Sequence, residues 1–209
     1  MTTTSSSKAS PLPVEPTSTP RRYSAPSAAL HWIIAALILI QLGLGWYMNE
    51  ILPDHSSAQD RIEALHIEIG LSLLVLVLVR IAVRIAKPAP RMPEGIAGWE
   101  RVLAQTVHYL LYALLLVVPL SGWALVTTRH APISFWGIHW PSLPGVLAVA
   151  GGSPRALGRT LKDVHIFWLI WVLVVALALH LAGAVKHQFD GHPVLWRMVP
   201  FLRRPGGPT

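Results

Sequence analysis

No cysteine occurs anywhere in the 209 residues. Thiolate-held iron–sulfur clusters, the Cys-x-x-Cys-His attachment of c-type haem and structural disulfides are therefore excluded. Charge is scarce as well. Asp, Glu, Lys and Arg make up 13% of the chain and apolar residues 53%, against roughly 25% charged in an ordinary soluble domain, so the composition points to a membrane protein. Carboxylates are the rarer charges, 10 against 17 Lys plus Arg. In a soluble chain that excess would suggest a nucleic-acid partner. In a membrane chain it reports topology, because basic residues collect in cytoplasmic loops, and no nucleic-acid role is expected. What is plentiful is histidine, with 10 residues, and tryptophan, with nine; the second fits an aromatic belt at the membrane–water interface.

Residues 1–26 are rich in Ser, Thr and Pro and offer nothing for a core, so a disordered tail is expected there. Four apolar runs of spanning length follow, over about 28–48, 64–85, 102–127 and 164–185. The expected fold is all-α: an integral membrane four-helix bundle over residues 27–200, followed by a short cytoplasmic tail, 201–209. The first run is long enough to span and has no small-residue cleavage site after it, so it reads as a retained helix rather than a signal peptide. Pro119 inside the third run is a tolerated kink.

An even number of spans puts both termini on one side. Arg21 and Arg22 precede span 1; Arg84, Lys87, Arg91 and Arg101 lie between spans 2 and 3; Lys186, Arg197, Arg203 and Arg204 follow span 4. These segments are expected to be cytoplasmic, with both termini inside a bacterial inner membrane. The stretch from Thr128 to Asp163 is the exception, an outer loop that nonetheless carries Arg129, Arg155, Arg159 and Lys162. Its Phe135, Trp136 and Trp140 suggest a segment lying along the membrane surface.

Ionisable residues in a span are functional candidates, because burying an unpaired polar group in hydrocarbon is costly. His31, His66, His108, His165 and His180 qualify. One such histidine is as readily a hydrogen-bonded packing residue; five at regular depths are not. With helix directions alternating, His31 and His180 can meet near the cytoplasmic surface, and His66 and His165 near the outer one. His165 and His180 are 15 residues apart, roughly 22 Å along a helix and about 60° around it. Both can therefore face the interior, at two sites stacked across the membrane.

Haem suits such pairs better than zinc, since neither depth supplies the four ligands of a structural zinc site. Gly70, four residues after His66, and Gly183, three after His180, remove side chains where a macrocycle would approach the backbone. Arg80 and Arg84 lie at the depth of His31 and His180 and can pair with a haem propionate; Arg80 also suits a quinone headgroup, and Arg84 also reads as a snorkelling end residue. His108 shares that depth, so it competes with His31 for His180 or, with Tyr112, serves a quinone headgroup. His187, two turns beyond His180, is a further quinone candidate and equally a plain surface histidine.

The chain resembles the bacterial cytochrome b561 family of four-helix, di-haem membrane proteins over roughly residues 22–200. The segments that carry the likeness are Arg22-Tyr23-Ser24 with Leu30-His31-Trp32, and Leu65-His66-Ile67-Glu68-Ile69-Gly70 running to Val79-Arg80. His108-Tyr109-Leu110-Leu111-Tyr112 leading to Pro119-Leu120-Ser121-Gly122 belongs with them, as do Ile133 to Pro144, Val164-His165, Leu179-His180 and His187. The resemblance implies two b haems, one held by His31 and His180 and the other by His66 and His165. It also implies electron traffic between ubiquinone or another membrane quinone and a periplasmic partner, with superoxide as one such substrate. Two other functions fit the residues: a membrane anchor that collects electrons for a hydrogenase- or dehydrogenase-like complex, and a proton-coupled transporter with a histidine relay.

Overall fold

A computed structural model describes residues 22–88, 90, 95–190 and 194–199. Most of the expected N-terminal tail and the tail at 201–209 lie outside the described residues. Four long helical stretches dominate: α1 (Ala25–Glu50), α2 (Ser57–Ala86), α3 (Gly98–Thr127), and a continuous stretch made of α5 (Pro154–Asp163), a π-helical turn (Val164–Leu169) and α6 (Ile170–Phe189). At 1.5 Å per residue, even the 26 residues of α1 reach about 39 Å, more than the roughly 30 Å hydrocarbon core of a bilayer. Each is long and apolar enough to cross a membrane.

Local sequence explains where the helices start. Pro26 sits in the first turn of α1 and Pro154 opens α5, where the missing N–H costs nothing. Ser56 caps α2 by accepting a hydrogen bond from the Gln59 amide at 3.1 Å, with Asp60 in the first turn. The Gln59 side chain then donates to the carbonyl of Met48 at 3.1 Å, tying the start of α2 to the end of α1.

The packed interior is small for so apolar a chain. Ile34, Ile38, Leu73 and Val77 bury against one another between α1 and α2, and Val107, Leu111, Leu114, Leu173 and Ala176 between α3 and α6; Leu42 and Leu177 touch both groups. Outward, Leu39, Leu78, Ile85 and Leu181 are exposed. A helix that is apolar all round but buried on only one side needs lipid against the rest, so this is a four-helix membrane bundle.

At one end of the bundle, the termini end, the amide of Tyr23 donates to Arg197 at 3.1 Å and the Trp32 indole to Met198 at 3.0 Å. The other, the hairpin end, carries an antiparallel pair, β1 (Ile133–Phe135) and β2 (Ile138–Trp140), with Ser134 opposite His139. Trp136 and Gly137 turn the chain with φ of 52° and 82°, as a two-residue type I′ turn requires. A short α4 (Val146–Val149) follows.

The stretch expected as a surface loop up to Asp163 is thus a hairpin, a short helix and then α5. The fourth helix begins at Pro154 rather than Val164, which places Arg155, Arg159 and Lys162 on helical turns. The apolar run starts only where the helix becomes wholly hydrophobic. Its first ten residues are amphipathic and invisible to a search for spans.

Candidate functional site

At the hairpin end, His66 of α2 faces His165 of the π turn with ring centroids 6.4 Å apart and planes at 85°. At the termini end, His31 of α1 faces His180 of α6 at 6.2 Å and 78°. An imidazole nitrogen binds a first-row metal at about 2.0–2.1 Å, and each ring centroid lies about 1.1 Å behind its nitrogen. Two collinear imidazoles on one metal therefore have centroids about 6.3 Å apart. Both pairs have that spacing. Among the described residues no group of three or more His, Cys, Asp or Glu could hold a metal ion, so the donor sets are imidazole pairs. They fit the axial positions of a haem and not a four-ligand zinc site.

His165 is held closely. Its Nδ1 lies 2.8 Å from the Ser121 hydroxyl, which itself donates to the carbonyl of Val118 at 2.7 Å. A Cβ at Gly122 would come within 3.1 Å of His165 Cε1, so only glycine lets the ring lie this close to α3. Opposite, Gly45 plays a looser version of the same part, its notional Cβ 3.5 Å from His66 Cε1. The Nδ1 atom of His66 is buried without a hydrogen-bond partner among the described residues.

The termini-end level is more crowded. His108 is exposed, its Nδ1 donates to the Ala104 carbonyl at 2.5 Å, and its ring lies 4.9 Å from that of His180. That separation is about 1.4 Å short of what two collinear bonds need, so the spacing of His31 with His180 suits a shared metal better. Arg80 Nη1 donates to the Ser27 carbonyl at 3.1 Å, Nη2 lies 3.3 Å from His31 Nδ1, and the guanidinium carbon stands 5.9 Å over the ring of Tyr112. Arg84 stands 5.8 Å over the ring of Tyr23. Arginine can only donate. Its contact with His31 Nδ1 is one that a histidine ligating through Nε2 and protonated at Nδ1 cannot keep, so metal binding would free Arg80 for an anion.

Of the other residues singled out from sequence, Gly183 faces open space, as a flat ligand would need. Gly70 serves a neighbour instead: its notional Cβ is 3.2 Å from Gln41 Nε2, which donates to the His66 carbonyl at 2.9 Å. His187 is half-buried near the end of α6.

Three residues at the hairpin-end site had no signal strong enough to nominate them. Ser121 and Gly122 follow Pro119 in a motif that carries the family likeness but gives neither of them a role. Glu68, two residues after His66 and so on another face of α2, holds the hairpin: it accepts from the Trp136 amide at 3.2 Å and from Ser134 Oγ at 3.4 Å, while the Trp136 indole donates to Ser72 at 3.0 Å. These bonds support a tryptophan in the left-handed region, which a bulky residue seldom adopts. An intramembrane carboxylate was itself the clue. Beside them, Arg129 pairs with Glu63.

The sequence matches the family described as prokaryotic cytochrome b561 over residues 22–201. It is 33% identical over 184 residues to cytochrome b561 homolog 2 of Escherichia coli, covering 88% of this chain and 94% of that one. It is 31% identical over 173 residues to cytochrome b562 of Cereibacter sphaeroides, covering 80% and 87%. To the probable superoxide oxidase CybB of Yersinia pestis it is 25% identical over 185 residues, covering 88% and 98%. With apolar spans, paired histidines at two depths and a match across nearly all described residues, this chain belongs to the prokaryotic cytochrome b561 family, haem-binding membrane cytochromes of electron transport.

Proposed function

We propose that this chain holds two b haems, one between His66 and His165 and one between His31 and His180, and transfers electrons between a donor at the hairpin end and a membrane quinone at the termini end. The observation that carries this is the pair of facing imidazole sets, both at the spacing of two axial ligands and at opposite ends of an apolar bundle. His66 with His165 and His31 with His180 would hold the haems, which would supply one-electron exchange rather than a binding position for oxygen or substrate.

The protein's own groups divide the remaining work. A quinone needs protons as well as electrons, and His108, Tyr112 and His187 are the termini-end side chains we assign to carry them. With Nδ1–H given to Ala104, His108 keeps a lone pair on Nε2 to accept a proton from a quinol, or a proton to pass on once it is charged. Arg80 and Arg84 are placed for carboxylates such as propionates.

The hairpin end faces the periplasm in this reading, with both termini cytoplasmic, which the basic residues around the termini and the α2–α3 connection favour. Arg155, Arg159 and Lys162 on α5 are exposed and would raise the local concentration of an anion. Superoxide is the donor we favour, in keeping with the activity for which the Yersinia relative is named; it would leave as dioxygen after giving up one electron.

The test is a pyridine haemochrome assay on the purified chain and on His165→Ala, with superoxide-dependent quinone reduction followed in parallel. Two haems per chain, falling to one in the variant with loss of activity, is the expected result. A chain without a b-type reduced-minus-oxidised band, or a variant that keeps both haems, would refute it.

A further inference from the structure

We infer that Ser121 is a positioning residue for the hairpin-end haem, acting through His165 to set its reduction potential; the inference rests on the haem assignment proposed above. A serine hydroxyl has one proton. Here it lies 2.7 Å from the Val118 carbonyl, which can only accept, and the same oxygen lies 2.8 Å from His165 Nδ1. Both contacts are satisfied together in one way: Ser121 gives its proton to Val118, and His165 gives its Nδ1 proton to Ser121. His165 is then the Nδ1–H tautomer, with its lone pair on Nε2.

Serine back-bonding to a carbonyl of the preceding turn is ordinary in helices. What is not ordinary is that the oxygen's remaining acceptor capacity is filled by a histidine from another helix. The π turn carries that histidine, and Gly122 clears the space beside it. Such turns are frequent where a helix is re-aimed for function.

The two faces of this site are unequal. His66 has a buried Nδ1 with no partner among the described residues, whereas the Nδ1 proton of His165 is drawn toward Ser121. An acceptor on that proton makes the ring a stronger donor through Nε2. A stronger donor favours ferric over ferrous iron, so Ser121 lowers the potential of this haem relative to one held by unassisted imidazoles.

The experiment compares the holoprotein with Ser121→Ala and Ser121→Thr by spectroelectrochemical titration and by electron paramagnetic resonance of the low-spin ferric haems. The component missing in His165→Ala identifies the hairpin-end haem. Loss of such a partner typically weakens metal binding 10- to 100-fold. Each tenfold by which ferric binding is weakened more than ferrous raises a one-electron potential by about 59 mV.

We expect Ser121→Ala to raise that one component, by this step for each tenfold of difference, and to change its ferric signal, leaving the other haem unmoved, while Ser121→Thr stays at the original values. Should alanine cost the haem itself, retention by threonine supports the inference and loss by both overturns it. An unmoved potential in Ser121→Ala, or an equal shift in Ser121→Thr, overturns it alone. A parent chain without haem overturns the assignment and the inference with it.

Discussion

Adding a single carbon at Gly122 should loosen one haem and leave the other untouched. A Cβ built there lies 3.1 Å from Cε1, 3.6 Å from Nδ1 and 3.7 Å from Nε2 of His165. Carbon atoms rest about 3.5–4.0 Å apart, so Gly122→Ala asks the ring to retreat by about 0.4 Å or more. Retreat stretches the 2.8 Å contact with Ser121 and takes the ring out of line with His66. Gly122→Val adds two methyl groups to the same carbon and must push further. Overpacking of this kind costs about 1–3 kcal/mol, which at 1.4 kcal/mol per tenfold is about 5- to 150-fold weaker haem retention. Intrinsic helix propensity works the other way, favouring alanine over glycine by about 0.8–1.0 kcal/mol, so a loss cannot come from the backbone. The assay is titration of the haem-free chain with haemin, read as the stoichiometry and affinity of two sites. Gly43→Val, where nothing lies within 4 Å of the new carbon, is the control. Equal affinity at both sites in Gly122→Val, or equal weakening by the control, would refute the reasoning.

Three further outcomes are expected. His108→Ala should keep both haems but slow quinone reduction about 100-fold, the low end for a lost acid–base group, whereas His31→Ala should lose one haem; the haemochrome ratio of the two variants tells ligand from proton carrier. Glu68→Ala should speed amide hydrogen exchange over residues 133–140 about fivefold, the effect of losing about 1 kcal/mol of hydrogen bonding, with Glu68→Gln intermediate because it keeps an acceptor oxygen; unchanged exchange would mean the hairpin needs no latch. Lys186 reaches Glu100 at 2.8 Å and Asp190 at 2.5 Å, and the lysine and Asp190 are exposed while Glu100 is partly buried. Screening leaves exposed pairs little to contribute, so Lys186→Ala should melt at the temperature of the parent in detergent, and a clear drop would show the pairs to matter.

Four spans were legible because a lipid-facing helix must be apolar over its whole circumference, a signal that needs no partner to interpret. Their ends were not. Ser57 to Glu63 continue α2 beyond the apolar run under the cap of Ser56, and α5 adds ten residues with three basic side chains to the front of the last helix. The hairpin was hidden for a different reason. Its turn is Trp136-Gly137 in place of the usual Asn-Gly or Asp-Gly, and the tryptophan is held in its unusual conformation by Glu68 and Ser72, 64 or more positions away. The depths of the histidines were readable from counting alone. Their neighbours on α3 were not, because whether Ser121 and Gly122 meet His165 depends on rotation about the helix axis. A regular helix puts His180 about 60° around from His165; the extra residue of a π turn shifts that to about 40° on the other side. Both values face inward, which is why counting succeeded while the contacts stayed out of reach.

The same geometry weighs against a histidine relay for protons. Between the two histidine levels every helix contributes apolar residues to the interior: Ile34 and Ile38, Leu73 and Val77, Leu111 and Leu114, Leu173 and Ala176. The polar side chains nearest this layer belong to one end or the other. Gln41 is bonded to the carbonyl of His66, Ser72 to the hairpin, and Tyr112 lies under Arg80. A proton crossing the bundle would need donors and acceptors within hydrogen-bond reach of one another across this layer, and the described interior offers none there. Electrons need no such chain, only two redox groups brought close from either side. With the two haems proposed above, an apolar middle with a site at each end would let charge pass as electrons and offer protons no chain of donors and acceptors.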